Sequence, residues 1–348
     1  YKNNTLKKLL YNMSNLNKIL LNKINCKSIW FMRQAGRYLP EFQEIRSKNQ
    51  DFIKLCLNSE LSSEITLQPI KRFDLDSAII FSDILMVPYA LGQDVKFTKG
   101  FGPKLSDFNL SEFLKRKKND FSNKLSPIYK AIDITRRKLN KSKSLISFIG
   151  APWTLIVYML NAKESKEEIN LQKFYDKKKS LDQVIETLIY FLCIHIKNQI
   201  NAGADVIQIF DSWAGLIPKE NLNDYCYIPN AKILNFCKKE NIPTICFPKG
   251  IKEKYEEFNN IVKPDGINLD PEINPEWAKE KLKNVVIQGG LNPHILLKDD
   301  EHIIQGATKY IQTFKDIPYV FNLGHGLLPE TDPDKVSKLI KFYRNFDG

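Results

Sequence analysis

Eight short apolar runs recur along the chain: SIWFMRQ, SAIIFSD, SLISFIGAPW, DVIQIFDSW, PTICFPKG, GINLD, NVVIQGG and YVFNLGHG. They are nearly continuous and rich in Ile, Val and Phe, the pattern of parallel strands buried on both faces. Between them lie amphipathic stretches such as SLDQVIETLIYFLCIHIKNQINAG and DPDKVSKLIKFYRNF. These are long enough for the helical crossovers that parallel strands require. Eight strand–helix units predict an α/β fold, a single (β/α)8 TIM barrel. Such barrels typically take ~250 residues, so a chain of 348 has room for more. The longest gap, Leu85 to Lys143, holds GQDVKFTKGFGPKL and a helical SPIYKAIDITRRKL, and is read as an insertion after strand two. A doubly wound open sheet is the competing arrangement, but no G-x-G-x-x-G follows a strand, which weakens its dinucleotide-binding form.

Residues 26–348 are assigned to the barrel and residues 1–25 to a basic leading segment. The first forty residues contain no acid. Two readings of that segment stand side by side: the trimmed remainder of an organelle transit peptide, or an ordinary basic helix over YKNNTLKKLLYNM. The whole chain carries 52 Lys and Arg against 40 Asp and Glu, a net charge of +12. Such a balance suits acidic small molecules, nucleic acid or anionic membranes. Much of the excess is scattered lysine, as in KRKKND and KFYDKKKS, without the interleaved aromatics of a nucleic-acid surface. Solvated surface is the better reading, with no nucleic-acid partner expected. Six dispersed cysteines without a C-x-x-C indicate reduced thiols, so a protein that is not secreted. No run approaches the ~20 apolar residues of a membrane span.

Barrel chemistry sits at the C-terminal ends of the strands. The polar residues there are Arg33, Arg37, Asp83, Trp153, Tyr158, Asp211, Ser212, Lys249, Asp270, Gln288 and His325. They are expected to converge on one mouth. His195, His294, His302 and His325 show no metal-ligand spacing, and neither a G-x-S-x-G elbow nor a phosphate loop is present. His195, on a long apolar helix, reads as structural; His294 and His302 read as surface or capping residues. A mouth of this kind works by positioned charge.

The stretch WFMRQAGRYLPEFQEIR places Arg33 and Arg37 on either side of a QAG turn, with Arg46 one short helix further on. Arginine is costly to bury without an anion, and its planar fork fits carboxylate or phosphate. These arginines therefore pair with Glu41 or Glu44 nearby, or they await an anionic ligand. Asp83 follows SAIIFS, a carboxylate at the edge of an apolar floor. It too has an internal alternative, pairing with a mouth arginine.

That stretch resembles the signature of the uroporphyrinogen decarboxylase family. The resemblance continues through ITLQPIKRF, AIIFSDILMVPYALG, GAPWTLIVYM, QIFDSWAG and NLGHGLLPETDPDKV, from about residue 28 to residue 340. It implies a barrel enzyme, a homodimer, that removes the carboxyl groups of four acetate arms from uroporphyrinogen III. The products are coproporphyrinogen III and four CO2, within haem and porphyrin synthesis. It implies a carboxy-lyase with no metal and no organic cofactor. By motif, Asp83 becomes the central anion beneath the pyrrole NH groups. Arg33, Ala35, Arg37 and Arg46 become substrate-binding positions, Arg33 also a proton donor; Tyr158, Ser212 and His325 complete the binding set. The resemblance leaves the compartment between cytoplasm and a plastid-type organelle.

Two stretches depart from the family pattern. QGGLNP stands where QGNLDP is common, putting Gly290 and Asn292 in place of an amide and an acid. NLDPEIN has Pro271 where a tryptophan usually follows Asp270. A shifted pocket wall is expected at both. Two other functions remain in view: a zinc-dependent methyltransferase of the same superfamily, and a non-catalytic binder of acidic ligands.

Overall fold

The Ile-, Val- and Phe-rich runs form one parallel sheet that curls into a ring. The computed structural model describes residues 13–98, 102–163, 168–170 and 178–346. The helix read over YKNNTLKKLLYNM falls on residues 1–12, outside the described ones, as do residues 99–101 of GQDVKFTKGFGPKL and 173–177 of KFYDKKKS. The strands are β1 (Ser77–Ile79), β2 (Val95–Thr98), β3 (Gly102–Leu105), β4 (Ser144–Gly150), β5 (Val206–Asp211), β6 (Thr244–Pro248), β7 (Gly266–Leu269), β8 (Val286–Gly289) and β9 (Tyr319–Val320). Seven of them pair in the order β1-β4-β5-β6-β7-β8-β9, all parallel. Each added strand is the next in sequence, the topology that right-handed helical crossovers generate.

The first apolar run, expected as a full strand, is a single bridge. Ile29 bridges Phe321 in parallel, the Phe321 amide donates to Ser28 O at 2.9 Å, and the Asp76 amide donates to Ile29 O at 2.9 Å. Residues 28–31 thus join the two edges of the sheet, beside β9 on one side and β1 on the other. The ladder stops early because side chains take its donors. The Ile29 amide bonds Asp76 Oδ2 at 2.7 Å and the Phe31 amide bonds Gln34 Oε1 at 3.0 Å.

Alternate strand residues face the ring's interior. Trp30, Ile79, Ile146, Val206, Ile245, Val286 and Val320 form one buried cluster there, joined by Leu16, Ile19 and Leu20. These two leucines and the isoleucine lie on one face of the helix Asn15–Asn22, at i, i+3, i+4 spacing, so the helix closes the N-terminal end of the ring. A polar layer lies above: Trp30 Nε1 donates to Gln288 Oε1 and Gln288 Nε2 to Asn268 Oδ1, each at 2.9 Å. Gln288 is therefore part of the barrel's filling and not of its mouth. Between β1 and β4, β2 and β3 form a separate antiparallel hairpin. Gln93 Nε2 ties it down by bonding both Ser106 O and Met159 O.

Candidate active site

Gln34 builds the turn that presents the arginines. It is fully buried, accepts from the Phe31 amide, donates to Ser77 O at 2.9 Å, and its carbonyl accepts Tyr38 Oη at 2.9 Å. Sequence reasoning passed over this residue; the signal available was an amide locked between two arginines in a buried stretch. With Gln34 drawn inward, Arg33 takes a left-handed backbone, φ +60°. Arg33 and Arg37 both stay exposed, and Arg33 lies near enough to Asp83 and Tyr158 to feel their charge. Pro40 then opens the helix Pro40–Lys48.

The glutamates of that helix do not neutralise the turn. Glu41 forms a two-pronged pair with Arg72, at 2.8 and 2.9 Å, and Glu44 pairs with Lys48. Among the described residues, neither Arg33 nor Arg37 has a side-chain ion pair or hydrogen bond. Arg46 is turned back on its own helix end, bonded to Asn49 O and lying 5.8 Å over the Phe52 ring. It is not brought beside Arg33.

Asp83 follows β1 at the same end of the ring, and its Oδ1 accepts the Leu85 amide at 2.8 Å. Desolvation dominates its titration and pushes the carboxyl up to about 6, although the Leu85 hydrogen bond and the charge of Arg33 pull the other way. The same surroundings lower the pKa of Arg33, chiefly by desolvation and then by the like charge of Arg37. Tyr158, on the helix Pro152–Met159, feels both Asp83 and Arg33; burial raises its pKa. Its ring meets Trp213 edge-on, centroids 6.0 Å apart, and Lys163 Nζ lies 4.6 Å over the Trp213 face. Ser212 is half-buried beside Trp213. His325 is driven down to about 4 by burial, then by Arg33 and Lys249, so it is neutral at physiological pH. Ala35 is half-buried at the apex of the turn.

Other polar strand ends turn away from this cleft. Asp211 is 2% exposed and accepts from Thr154 Oγ1 at 2.7 Å and Asn230 Nδ2 at 3.3 Å, side chains of the helices outside the ring. Asp270, also buried, accepts the Gly250 amide at 2.6 Å and Tyr255 Oη at 3.0 Å. Trp153 is buried against Tyr225. For Asp211 the reason is strand parity: with Val206, Gln208 and Phe210 facing in, it must face out. The expected convergence fails for these three and for Gln288.

The two departing stretches have local explanations. Gly290 sits at φ +103°, and a β-carbon there would stand 2.5 Å from Tyr310 Cε1; Tyr310 Oη donates to Gly290 O at 2.8 Å. Pro271 packs on Gly324 with its ring 2.7 Å from where a β-carbon would be. It thereby touches the loop that carries His325. Among the described residues, no group of three or more His, Cys, Asp or Glu side chains is placed to hold a metal ion. No described helix is long and apolar enough to cross a membrane.

The family profile described as uroporphyrinogen decarboxylase (URO-D) matches residues 16–346. A uroporphyrinogen decarboxylase of Rickettsia felis is 40% identical over 322 residues, 92% of this chain and 93% of that protein. One from Orientia tsutsugamushi is 41% identical over 332 residues, covering 92% and 95%. Among solved structures, a methyltransferase from Methanosarcina mazei superposes with a TM-score of 0.72 at 16% identity, covering 96% of this chain and 98% of that one. That last likeness is one of fold.

Proposed function

This chain belongs to the uroporphyrinogen decarboxylase family, and from that premise we propose that its cleft decarboxylates the acetate arms of uroporphyrinogen III around Asp83. The observation that carries the residue assignment is that Arg33 and Arg37 make no side-chain ion pair or hydrogen bond among the described residues, although Arg33 lies within the field of the Asp83 carboxylate. A macrocycle with eight carboxylates supplies what the arginines lack.

Arg33 and Arg37 hold side-arm carboxylates. One opposed charge pair at ~4 Å in a partly shielded site interacts by roughly 4 kcal/mol before desolvation. Asp83, ionised above its raised pKa, accepts hydrogen bonds from the pyrrole NH groups, each charge-assisted bond contributing roughly 1.5–3 kcal/mol. Protonation of a pyrrole carbon makes a cationic ring that receives the electron pair left behind by CO2. A fixed anion under the ring stabilises that cation as it forms, without reorganisation at the moment of reaction. Neutral His325 and Tyr158 donate hydrogen bonds to further carboxylates, with Ser212 beside them. Arg33 remains charged even with its pKa lowered, so its main work is orientation. The chemistry asks for no metal or organic cofactor, and a homodimer is the proposed assembly, checked by sedimentation.

The test is anaerobic incubation with uroporphyrinogen III, then oxidation and chromatography of the porphyrins. Stepwise appearance of seven-, six-, five- and four-carboxyl species, lost in Asp83→Asn, is the expected result. Absence of conversion by folded wild-type protein would overturn the proposal.

A further inference from the structure

Behind the cleft, Asp83 lines a cavity of about 10 Å3 together with Ser82, His195 and Gln199, walled by Phe148 and Ile128. That is roughly the space one water needs, and water requires polar partners, which this lining supplies. His195 and Gln199 come from the long helix Lys178–Asn201 outside the ring and are 5% and 1% exposed. On its far side, His195 Nδ1 lies 3.0 Å from Tyr129 Oη. Tyr129 is half-buried on the helix Lys118–Lys138, and its hydroxyl also bonds Asn198. A purely packing residue among the Phe121 and Tyr129 rings needs no imidazole, since burying polar groups costs free energy unless they are bonded. The histidine read from sequence as structural thus connects the catalytic carboxylate to the outer helix layer.

We propose that Tyr129, His195 and a water held by His195 and Gln199 form a rear route that returns protons from solvent to Asp83 while substrate covers the cleft. This rests on the function proposed above. In each decarboxylation the bond between the arm's methylene and its carboxylate breaks. CO2 leaves, the electron pair passes to the ring, and the methylene gains one proton to become methyl. One proton is therefore consumed per CO2: Asp83, anionic while the ring cation forms and CO2 leaves, then takes up a proton and hands it to the methylene, and that proton must come from solvent. Along the route, Tyr129 gives a proton to His195 Nδ1, His195 releases one from Nε2 to the water, and the water protonates Asp83. Tyr129 takes a proton from the helix surface in the same concerted shift, since burial raises its own hydroxyl pKa to about 12, and a flip of the imidazole restores the starting tautomer. Burial holds the imidazole down to about 3, so His195 passes protons between its nitrogens without storing charge.

The experiment compares wild type, Tyr129→Phe and His195→Leu in uroporphyrinogen turnover, in H2O and in D2O. Tyr129→Phe keeps the packing and removes only the hydroxyl, so it carries the test even if His195→Leu folds poorly. The expected result is a kcat lowered about tenfold, less than the ~100-fold that a directly acting acid or base supplies. KM stays unchanged, the solvent isotope effect on kcat grows, and the double variant is no slower than the slower single one. Wild-type kcat and isotope effect in Tyr129→Phe, or a loss confined to KM, overturns the route alone. A folded wild-type protein without turnover overturns the functional reading, and the route with it.

Discussion

The side chain of Arg33 lies across the backbone of Gly326: a β-carbon at that glycine would stand 2.3 Å from Arg33 Cδ and 2.5 Å from its Cγ. The Leu327 amide donates to Met32 O at 2.9 Å, so the loop after β9 and the arginine turn are also joined through the backbone beside this contact. Two motifs nearly three hundred residues apart in the chain meet here, and the position of the guanidinium depends on a hydrogen atom at Gly326.

Gly326→Ala is therefore expected to push Arg33 out of line with little effect on stability. KM for uroporphyrinogen should rise about tenfold, which corresponds to ~1.4 kcal/mol of lost binding. Steady-state kinetics beside a thermal melt checks this. An unchanged KM would show that Arg33 reaches its ligand by another path.

Asp83 gives a prediction in pH. Its folded pKa, about 6, lies above the ~3.9 of an unfolded aspartate. The native state therefore binds more protons between those values, and this carboxylate's contribution to stability is present below the unfolded pKa and lost as pH rises to about 6. Asp83→Asn abolishes turnover yet should be more stable than wild type at pH 7, with the difference shrinking as pH falls towards 4. Melting curves at pH 4.5, 6 and 7.5 decide it. Wild-type turnover should in turn fall as pH drops below about 6 and the central anion is protonated.

Gln34→Ala would orphan the Phe31 amide and Ser77 O in a site closed to water. Each unsatisfied buried group costs about 1–3 kcal/mol, so urea unfolding should show a loss of roughly 2–4 kcal/mol. Because the turn loses its bracket, KM should rise as well. A loss of activity without loss of stability would contradict this account.

At the strand-eight loop, Gly290 and Tyr310 should behave as a coupled pair. Gly290→Ala meets both an unfavourable φ and the Tyr310 ring; Tyr310→Ala removes only the second obstacle. The glycine substitution should cost less in the Tyr310→Ala background, by at least about 0.5 kcal/mol in a double-mutant cycle. Additivity would mean that backbone strain alone requires the glycine.

The strand–helix alternation was legible because buried parallel strands need continuous apolar runs and their crossovers need amphipathic helices. Asp83 and the arginine turn stood out as candidates for a related reason: charge set directly after an apolar run needs a special environment. Asp211 and Asp270 carry the same local signature, and there the reading failed. His195, read as structural, is indeed buried and bonded to Tyr129; what the apolar helix concealed is that the residue also lines a cavity beside Asp83.

The sequence by itself determined the family, the order of the parallel strands and the chemical types present at their ends, because these follow from local pattern and motif. Only the tertiary structure decided which charges share the cleft. Strand parity sends Asp211 outward to hydroxyl and amide partners, while Asp270, past the end of its strand, is drawn to the Gly250 amide and the Tyr255 hydroxyl. Glu41 is taken by Arg72, which leaves Arg33 without an ion pair near Asp83 and Arg37 beside it. Those choices are made by contacts between residues far apart in the chain, and no local window contains them.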